Sequence, residues 1–263
     1  MELLECQGAC ASFMEELKGA LERVLLLDYD GTLAPFIRER DRAVPYAEVP
    51  ILLRDISESG TRVALISGRP ACELATLSRF SPQPEIWGSY GLEHLSPDGS
   101  YQFQEPTCLQ RAALGAAIDT LQGNGFGGKV ERKPGSVAVH WRGSGQEEIS
   151  HLRQEILQRW GPLAEVYGLR LLHFDGGIEL CLPAADKGNA VRGILETLGS
   201  GAAVAYLGDD ETDESAFVAI KGKGLAVLVR PESRPTAADL WLKPPEELCR
   251  FFRQWLLASG GEA

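Results

Sequence analysis

Acidic residues gather in two short stretches of this chain. One reads DYDGTL and holds Asp28, Asp30 and Gly31; the other reads GDDETD and holds Asp209, Asp210 and Asp213. A lone Asp-x-Asp pair is common in solvated loops. Acids that close two separate apolar runs are harder to explain that way, because crowded like charges destabilise one another unless a cation or an ionic substrate compensates. A third apolar run ends in Ser67, Gly68 and Arg69, and Lys187 stands at the start of a helical pattern. This set suits phosphoryl transfer through a carboxylate. A carboxylate that accepts a phosphoryl group forms an acyl phosphate and splits one hard step into two easier ones. A second acid two residues later can protonate the leaving alcohol and afterwards deprotonate water. A hard divalent cation held by oxygen ligands would neutralise the acids and the phosphate. Ser67 can donate to a phosphate oxygen, and Lys187 can hold nucleophile and phosphate together as a point charge.

The elements that must position these groups alternate. Residues 24–28 (VLLLD), 62–67 (RVALIS) and 204–210 (VAYLGDD) read as strands buried on both faces. Helical patterns follow at residues 49–59, after Pro70, and at 187–198; a strand at 225–229 and a helix at 245–257 close the chain. The alternation predicts a parallel sheet covered on both sides, with the site beyond the carboxyl ends of its strands. An N-terminal helix carries Phe13, Leu17 and Leu21 at helical spacing. Between residues 105 and 183 the rhythm changes to helix (105–121), a glycine-rich loop (123–128), hairpin (129–133 and 136–142), helix (146–160) and a second hairpin (169–174 and 178–182) across Asp175, Gly176 and Gly177. That is an antiparallel unit inserted into the first.

Composition narrows the function. The 263 residues are 44% hydrophobic and 24% charged, an ordinary globular mix, with a formal net charge of −11. An acidic surface with no basic patch argues against nucleic acid. The longest apolar run near the start is VLLL, so no membrane span and no secretory signal are expected there. Cys6, Cys10, Cys72, Cys108, Cys181 and Cys249 form no Cys-x-x-Cys pair and no disulfide framework. The expectation is a cytoplasmic protein with reduced cysteines.

In Ser136 to Arg142, period two puts Val137, Val139 and Trp141 on one face and Ser136, His140 and Arg142 on the other. Glu131 and Lys133 share a face of their strand, and Glu179 points away from Ile178, Leu180 and Leu182. The inserted sheet therefore presents Glu131, Lys133, Ser136, His140, Arg142 and Glu179 together. A solvated sheet face and a sugar-hydroxyl surface lowered over a phosphate both fit that pattern.

DYDGTL, the Ile66-Ser67-Gly68 stretch, Lys187 and GDDETD resemble, in order and spacing, the four motifs of the haloacid dehalogenase superfamily. Asp30 is similar to the second acid of its phosphatase and phosphomutase branches. More narrowly, DYDGTLAP, ISGRP, GSYGLEH, Glu131 and Lys133 with SVAVHWR, DKGNAV and GDDETDESAF resemble the trehalose-6-phosphate phosphatases, over residues 24–255. The resemblance implies a Rossmann-like α/β parallel-sheet core at residues 1–104 and 184–263 and an inserted α/β cap domain at 105–183. It implies Mg²⁺, Asp28 as nucleophile and Asp30 as general acid and base. It implies metal ligation by Asp28, the Asp30 carbonyl and Asp209, with Asp210 and Asp213 in support. Ser67, Gly68 and Lys187 would bind phosphate. Arg69 follows the serine in the family motif, and a structural ion pair is its other reading. Matching Glu and Lys positions in the family favour the sugar-binding face.

Gly176 and Gly177 stand where family members often carry a basic residue, Leu182 where they often carry arginine, and Tyr90 where histidine is common. These positions bear on the sugar and not on the phosphoryl chemistry. The expected reaction is hydrolysis of trehalose 6-phosphate. The competing readings are a capped phosphatase for sucrose 6-phosphate or a glycosylglycerate phosphate, a phosphomutase, and a non-catalytic sugar-phosphate binder. A trehalose-6-phosphate synthase partner is left open.

Overall fold

The computed structural model describes residues 3–37, 39–121, 129–141, 143–174 and 176–261. The glycine-rich loop, Arg142 and Asp175 lie outside the described residues. The chain runs α1 (Leu3–Gly19), β1 (Glu22–Leu27), α2 (Val49–Glu58), β2 (Arg62–Ile66), α3 (Ala71–Ser78), β3 (Glu85–Gly88), β4 (Glu93–Leu95) and β5 (Tyr101–Phe103). It continues through α4 (Cys108–Asp119), β6 (Val130–Lys133), β7 (Ser136–His140), α5 (Gln146–Tyr167), β8 (Arg170–Phe174) and β9 (Gly177–Cys181). It ends with α6 (Lys187–Leu195), β10 (Ala202–Gly208), α7 (Glu214–Ile220), β11 (Leu225–Val229), β12 (Leu240–Leu242) and α8 (Glu246–Ala258).

Eight strands form one sheet in the order β12-β11-β10-β1-β2-β3-β4-β5. From β12 to β3 every neighbour is parallel, and β4 and β5 are antiparallel. Alternate residues of the central strands bury on opposite sides. Leu25, Leu27, Leu65 and Leu207 meet Leu17, Ile56, Phe252 and Trp255 from α1, α2 and α8. Val24, Leu26, Ile66 and Tyr206 meet Val191, Ile194 and Phe217 from α6 and α7. Both faces are apolar, which is why these strands read as unbroken runs. The register pairs Leu27 with Leu207 on one side and with Leu65 on the other. Asp28 is thereby flanked by the ends of β10 and β2, which lead into Asp209 and Ser67.

The second sheet is antiparallel, in the order β6-β7-β9-β8. Val137, Val139, Ile178 and Leu180 pack on Leu114, Ala117, Ile156 and Trp160 of α4 and α5. The register places Glu131, Ala138 and Glu179 in one row and Lys133 and Ser136 in the next, all on the opposite face. That face is not solvated: Glu179 is 0% exposed and Ser136 4%.

Several boundaries differ from the sequence reading. Leu21 lies past the end of α1 and is 90% exposed, so it is no core residue. Helix α5 runs on through Pro162 to Tyr167, because Leu163 and Ala164 extend its packed side beyond Trp160. Helix α6 stops at Leu195, and α4 begins at Cys108, behind a capping box of Thr107 and Gln110. The short strands β3, β4, β5 and β12 have no counterpart in the sequence pattern. They carry too few residues for a period to show, and Glu85 and His94 hide in them as partners of each other at 2.8 Å. Among the described residues, no helix is long and apolar enough to cross a membrane.

Candidate active site

The carboxyl ends of β1, β2 and β10 bring three of the sequence stretches together. Asp28 is 3% exposed and Lys187, the first residue of α6, is equally buried. Lys187 Nζ donates to Asp28 Oδ1 and to Asp213 Oδ1, at 2.7 Å each. Thr32 Oγ1 donates to Asp28 Oδ2 at 3.2 Å. Asp213 also accepts from the Tyr206 hydroxyl through Oδ1, and from the backbone N–H groups of Asp209 and Asp210 through Oδ2, at 3.0 and 2.9 Å. Both its oxygens are taken. It organises the loop and the lysine and has little left to offer a metal directly. Asp210 Oδ1 accepts from Glu211 N at 2.7 Å and caps the short turn Glu211–Asp213.

Asp209 is different. It is 7% exposed, and its Oδ1 has no hydrogen-bond partner among the described residues. Oxygens of Asp28, Asp209 and Asp213 lie within 4.8 Å of one another. Burial, followed by the charges of Asp28, Asp213 and Asp210, pushes the Asp209 carboxyl well above its ordinary range. Burial likewise lifts Asp28, to about 7, against the pull of Lys187 and with a push from Asp213 and Asp30. Burial opposes the charge on Lys187, yet Asp213 and Asp28 outweigh it and hold the ammonium protonated above its usual value. An unpartnered buried carboxylate oxygen beside two further carboxylates is the donor set that a hard divalent cation satisfies. Gly31 permits the approach. Its φ is +86°, and a Cβ there would fall 2.0 Å from Asp209 Oδ2.

Asp30 sits beyond this cluster, with both oxygens held by Arg69, at 2.6 Å from Nε and 2.7 Å from Nη2. Arg69 is 1% exposed and also donates to Glu73 and, at 2.9 Å, to the Arg40 carbonyl. Its guanidinium is engaged by protein groups in this way while still lining the same cavity as Asp28. Ser67 is buried, and its Oγ accepts from Arg69 N at 3.2 Å.

The second sheet closes over these strand ends. Lys133 Nζ donates to the Gly68 carbonyl at 3.1 Å and to Glu179 at 2.7 Å. Glu179 accepts further bonds from Ser136 and, at 3.2 Å, from the Tyr90 hydroxyl. Glu131 lies 2.6 Å from Nε2 of His140 and accepts from Arg40. Burial works against the Glu131 charge, but the His140 hydrogen bond and the charges of Lys133 and Arg40 bring its carboxyl down to about 2. Between the sheets lies a cavity of about 60 Å³, lined by Asp28, Asp30, Ser67, Lys187 and Asp209 below and by Lys133, His140 and Phe174 above.

The sequence model of the trehalose-phosphatase family matches residues 26–245. The chain belongs to this family. A trehalose-phosphate phosphatase of Mycobacterium marinum is 31% identical over 242 residues, 86% of this chain and 60% of that protein. The chain therefore spans a little under two thirds of that relative. The C-terminal domain of a C. albicans trehalose-6-phosphate phosphatase superposes with a TM-score of 0.78 at 19% identity, covering 96% of this chain and 97% of that one. A haloacid dehalogenase-like hydrolase from Bacteroides thetaiotaomicron gives 0.64 at 17% identity, covering 89% and 99%. The fold is the haloacid dehalogenase-like one.

Several residues of the site carry no sequence signal of their own. Thr32 belongs to the DYDGTL motif but had no assigned partner. Tyr206 is an inward position of an apolar strand and reads as core. Arg40, Phe36 and Phe174 line the cavity from loop or strand-end positions that spacing cannot single out. The departures from the family pattern have local reasons. Tyr90, at φ +59°, bonds Glu179 and lies under Lys133, whose Nζ is 5.4 Å from the ring centre. A Cβ on Gly177 would fall 2.2 Å from the Val139 carbonyl, so no basic side chain fits there.

Proposed function

We propose that the chain hydrolyses trehalose 6-phosphate to trehalose and phosphate through an aspartyl phosphate on Asp28. The observation that carries this reading is the buried set of Asp28, Asp209, Asp213 and Lys187, in which the lysine bonds Asp28 and Asp213 and Asp209 Oδ1 has no partner among the described residues. The membership in the trehalose-phosphatase family supports the choice of substrate. Residues 1–104 and 184–263 act in this reading as the catalytic core, and 105–183 as the cap.

Asp28 Oδ attacks phosphorus, and Lys187 and Ser67 hold the phosphate oxygens through charge and hydrogen bond. Asp30 protonates the departing sugar oxygen, then takes a proton from the water that cleaves the acyl phosphate. To reach the leaving oxygen it exchanges a hydrogen bond to Arg69 for one to the substrate. Asp28, Asp209 and the Asp30 carbonyl would hold Mg²⁺, with Asp213 fixing the loop and Asp210 its turn. The ion supplies positive charge to the transferring phosphate. Glu131, Lys133, Ser136, His140 and Glu179 offer the sugar hydroxyls their partners. A cytoplasmic location goes with this reading.

Phosphate release from trehalose 6-phosphate, sucrose 6-phosphate and a glycosylglycerate phosphate, with and without Mg²⁺, tests it. Trehalose 6-phosphate is expected to lead by kcat/KM. A flat profile, or release that ignores Mg²⁺, overturns the reading.

A further inference from the structure

The cavity of about 60 Å³ has room for a few waters or a phosphate group. Ligand pockets usually start at roughly 300 Å³. Any phosphate ester therefore enters only when the two sheets part. Contacts that cross the cavity include the bond of Lys133 to the Gly68 carbonyl and that of Tyr90 to Glu179. A third comes from Arg40, in the short turn Arg40–Arg42. Its Nη1 bonds Glu131 and lies 3.2 Å from His140 Nε2. It thus covers two of the groups assigned above to sugar hydroxyls. The turn that carries Arg40 is anchored. The Arg40 carbonyl accepts from Arg69 at 2.9 Å, and the Ala43 carbonyl accepts from the Tyr29 hydroxyl at 2.7 Å.

We propose that Arg40 is a specificity-determining residue. In the empty protein its guanidinium holds Glu131 beside His140, and a substrate opens the cavity without loss only if its own hydroxyls take Glu131 over. The inference rests on the sugar-phosphate reading of the site. A sugar phosphate replaces one donor on Glu131 by another. An ester without hydroxyls breaks the ion pair and returns nothing, so it is turned away. Charged hydrogen bonds of this kind discriminate by leaving a partner unpaired.

The test compares kcat/KM for trehalose 6-phosphate and 4-nitrophenyl phosphate in wild type, Arg40→Ala, Arg40→Lys, Glu131→Gln and the double variant Arg40→Ala/Glu131→Gln. For nitrophenyl phosphate, Arg40→Ala is expected to raise kcat/KM about tenfold, mainly through KM, the loss of one hydrogen bond to a partly exposed charge. Arg40→Lys should give a smaller gain, because one donor remains. Glu131→Gln should also raise it, and the double variant should add nothing, since both changes release one contact. Trehalose 6-phosphate should gain less than nitrophenyl phosphate in Arg40→Ala and should lose in Glu131→Gln. Unchanged or slower nitrophenyl phosphate hydrolysis in Arg40→Ala, or additive gains in the double variant, overturns the role of Arg40. If wild type fails to turn over trehalose 6-phosphate, the substrate reading falls instead, and the nitrophenyl phosphate arm still reads the Arg40 contact.

Discussion

The two polar clusters that face each other across the cavity are built on opposite terms. Below the cavity, Lys187 bonds Asp28 and Asp213, Asp209 lies beside them, and its Oδ1 has no partner among the described residues. On the second sheet, Lys133 answers Glu179 and Arg40, reaching across from the turn Arg40–Arg42, answers Glu131, with Ser136, Tyr90 and His140 completing the set. The lower cluster is short of positive charge, which together with burial pushes the carboxyls of Asp28 and Asp209 upward. The upper cluster is charge-matched, with His140 Nδ1 left without a partner among the described residues. Chemistry needs preorganised, uncompensated charge at the reacting centre. Recognition can be built from groups that hold one another until hydroxyls replace them. Stability and function should therefore part company in the core and run together in the cap.

The strongest test is Asp28→Asn. Turnover should fall by on the order of 10⁴-fold or more, as for loss of a nucleophile, because an amide does not attack phosphorus. The melting temperature should hold or rise, since a crowded buried charge is gone. Phosphate release and thermal melting check both halves, and a large loss of stability would break the contrast. Next, exhaustive EDTA treatment should remove the activity and Mg²⁺ should restore it. Mg²⁺ should also raise the melting temperature of wild type, as a ligand of the folded state does, and fail to raise that of Asp209→Asn. An equal shift in both proteins would count against Asp209 as a ligand.

Glu179→Gln reaches the cap side. It should lower kcat/KM for trehalose 6-phosphate by about 10- to 150-fold, the loss of one charged partner at roughly 1.5–3 kcal/mol. It should lower the melting temperature too, because it leaves Lys133 buried without its counter-charge. A variant that keeps both would mean that this face is packing alone. The smallest effect concerns pH. The Glu131 carboxyl is held at about 2 in the fold against an ordinary 4.5. A depressed carboxylate contributes stability above its unfolded value, and that contribution is lost as pH falls through the window toward its folded one. The melting-temperature advantage of wild type over Glu131→Gln should therefore shrink from pH 6 to pH 3. A constant gap would assign the stabilisation to something other than charge.

How much of this the residues announce depends on whether the signal is local. Unbroken apolar runs ending in acids declare the buried parallel strands and the end at which their site opens, since a strand covered on both faces has no polar alternation. Glycine at residue 31 and the period-two pattern of residues 136–142 are local in the same way. They announce a sharp turn and a polar sheet face before any tertiary contact is known. Only the folded chain decides which polar groups meet. Arg40 and Glu131 are separated by 91 residues, and Lys133 and Gly68 by 65. Arg69 turns to Asp30 because the ends of β2 and β1 lie side by side, a matter of strand order that no spacing records. The short strands β3, β4, β5 and β12 likewise owe their conformation to neighbours supplied by the sheet. The closure of the second sheet over the strand ends belongs with them. A sheet face with Glu131, Lys133 and Glu179 reads the same in solvent or in a cavity, and the strand ends beneath it supply the carbonyl, the tyrosine and the arginine that bury it.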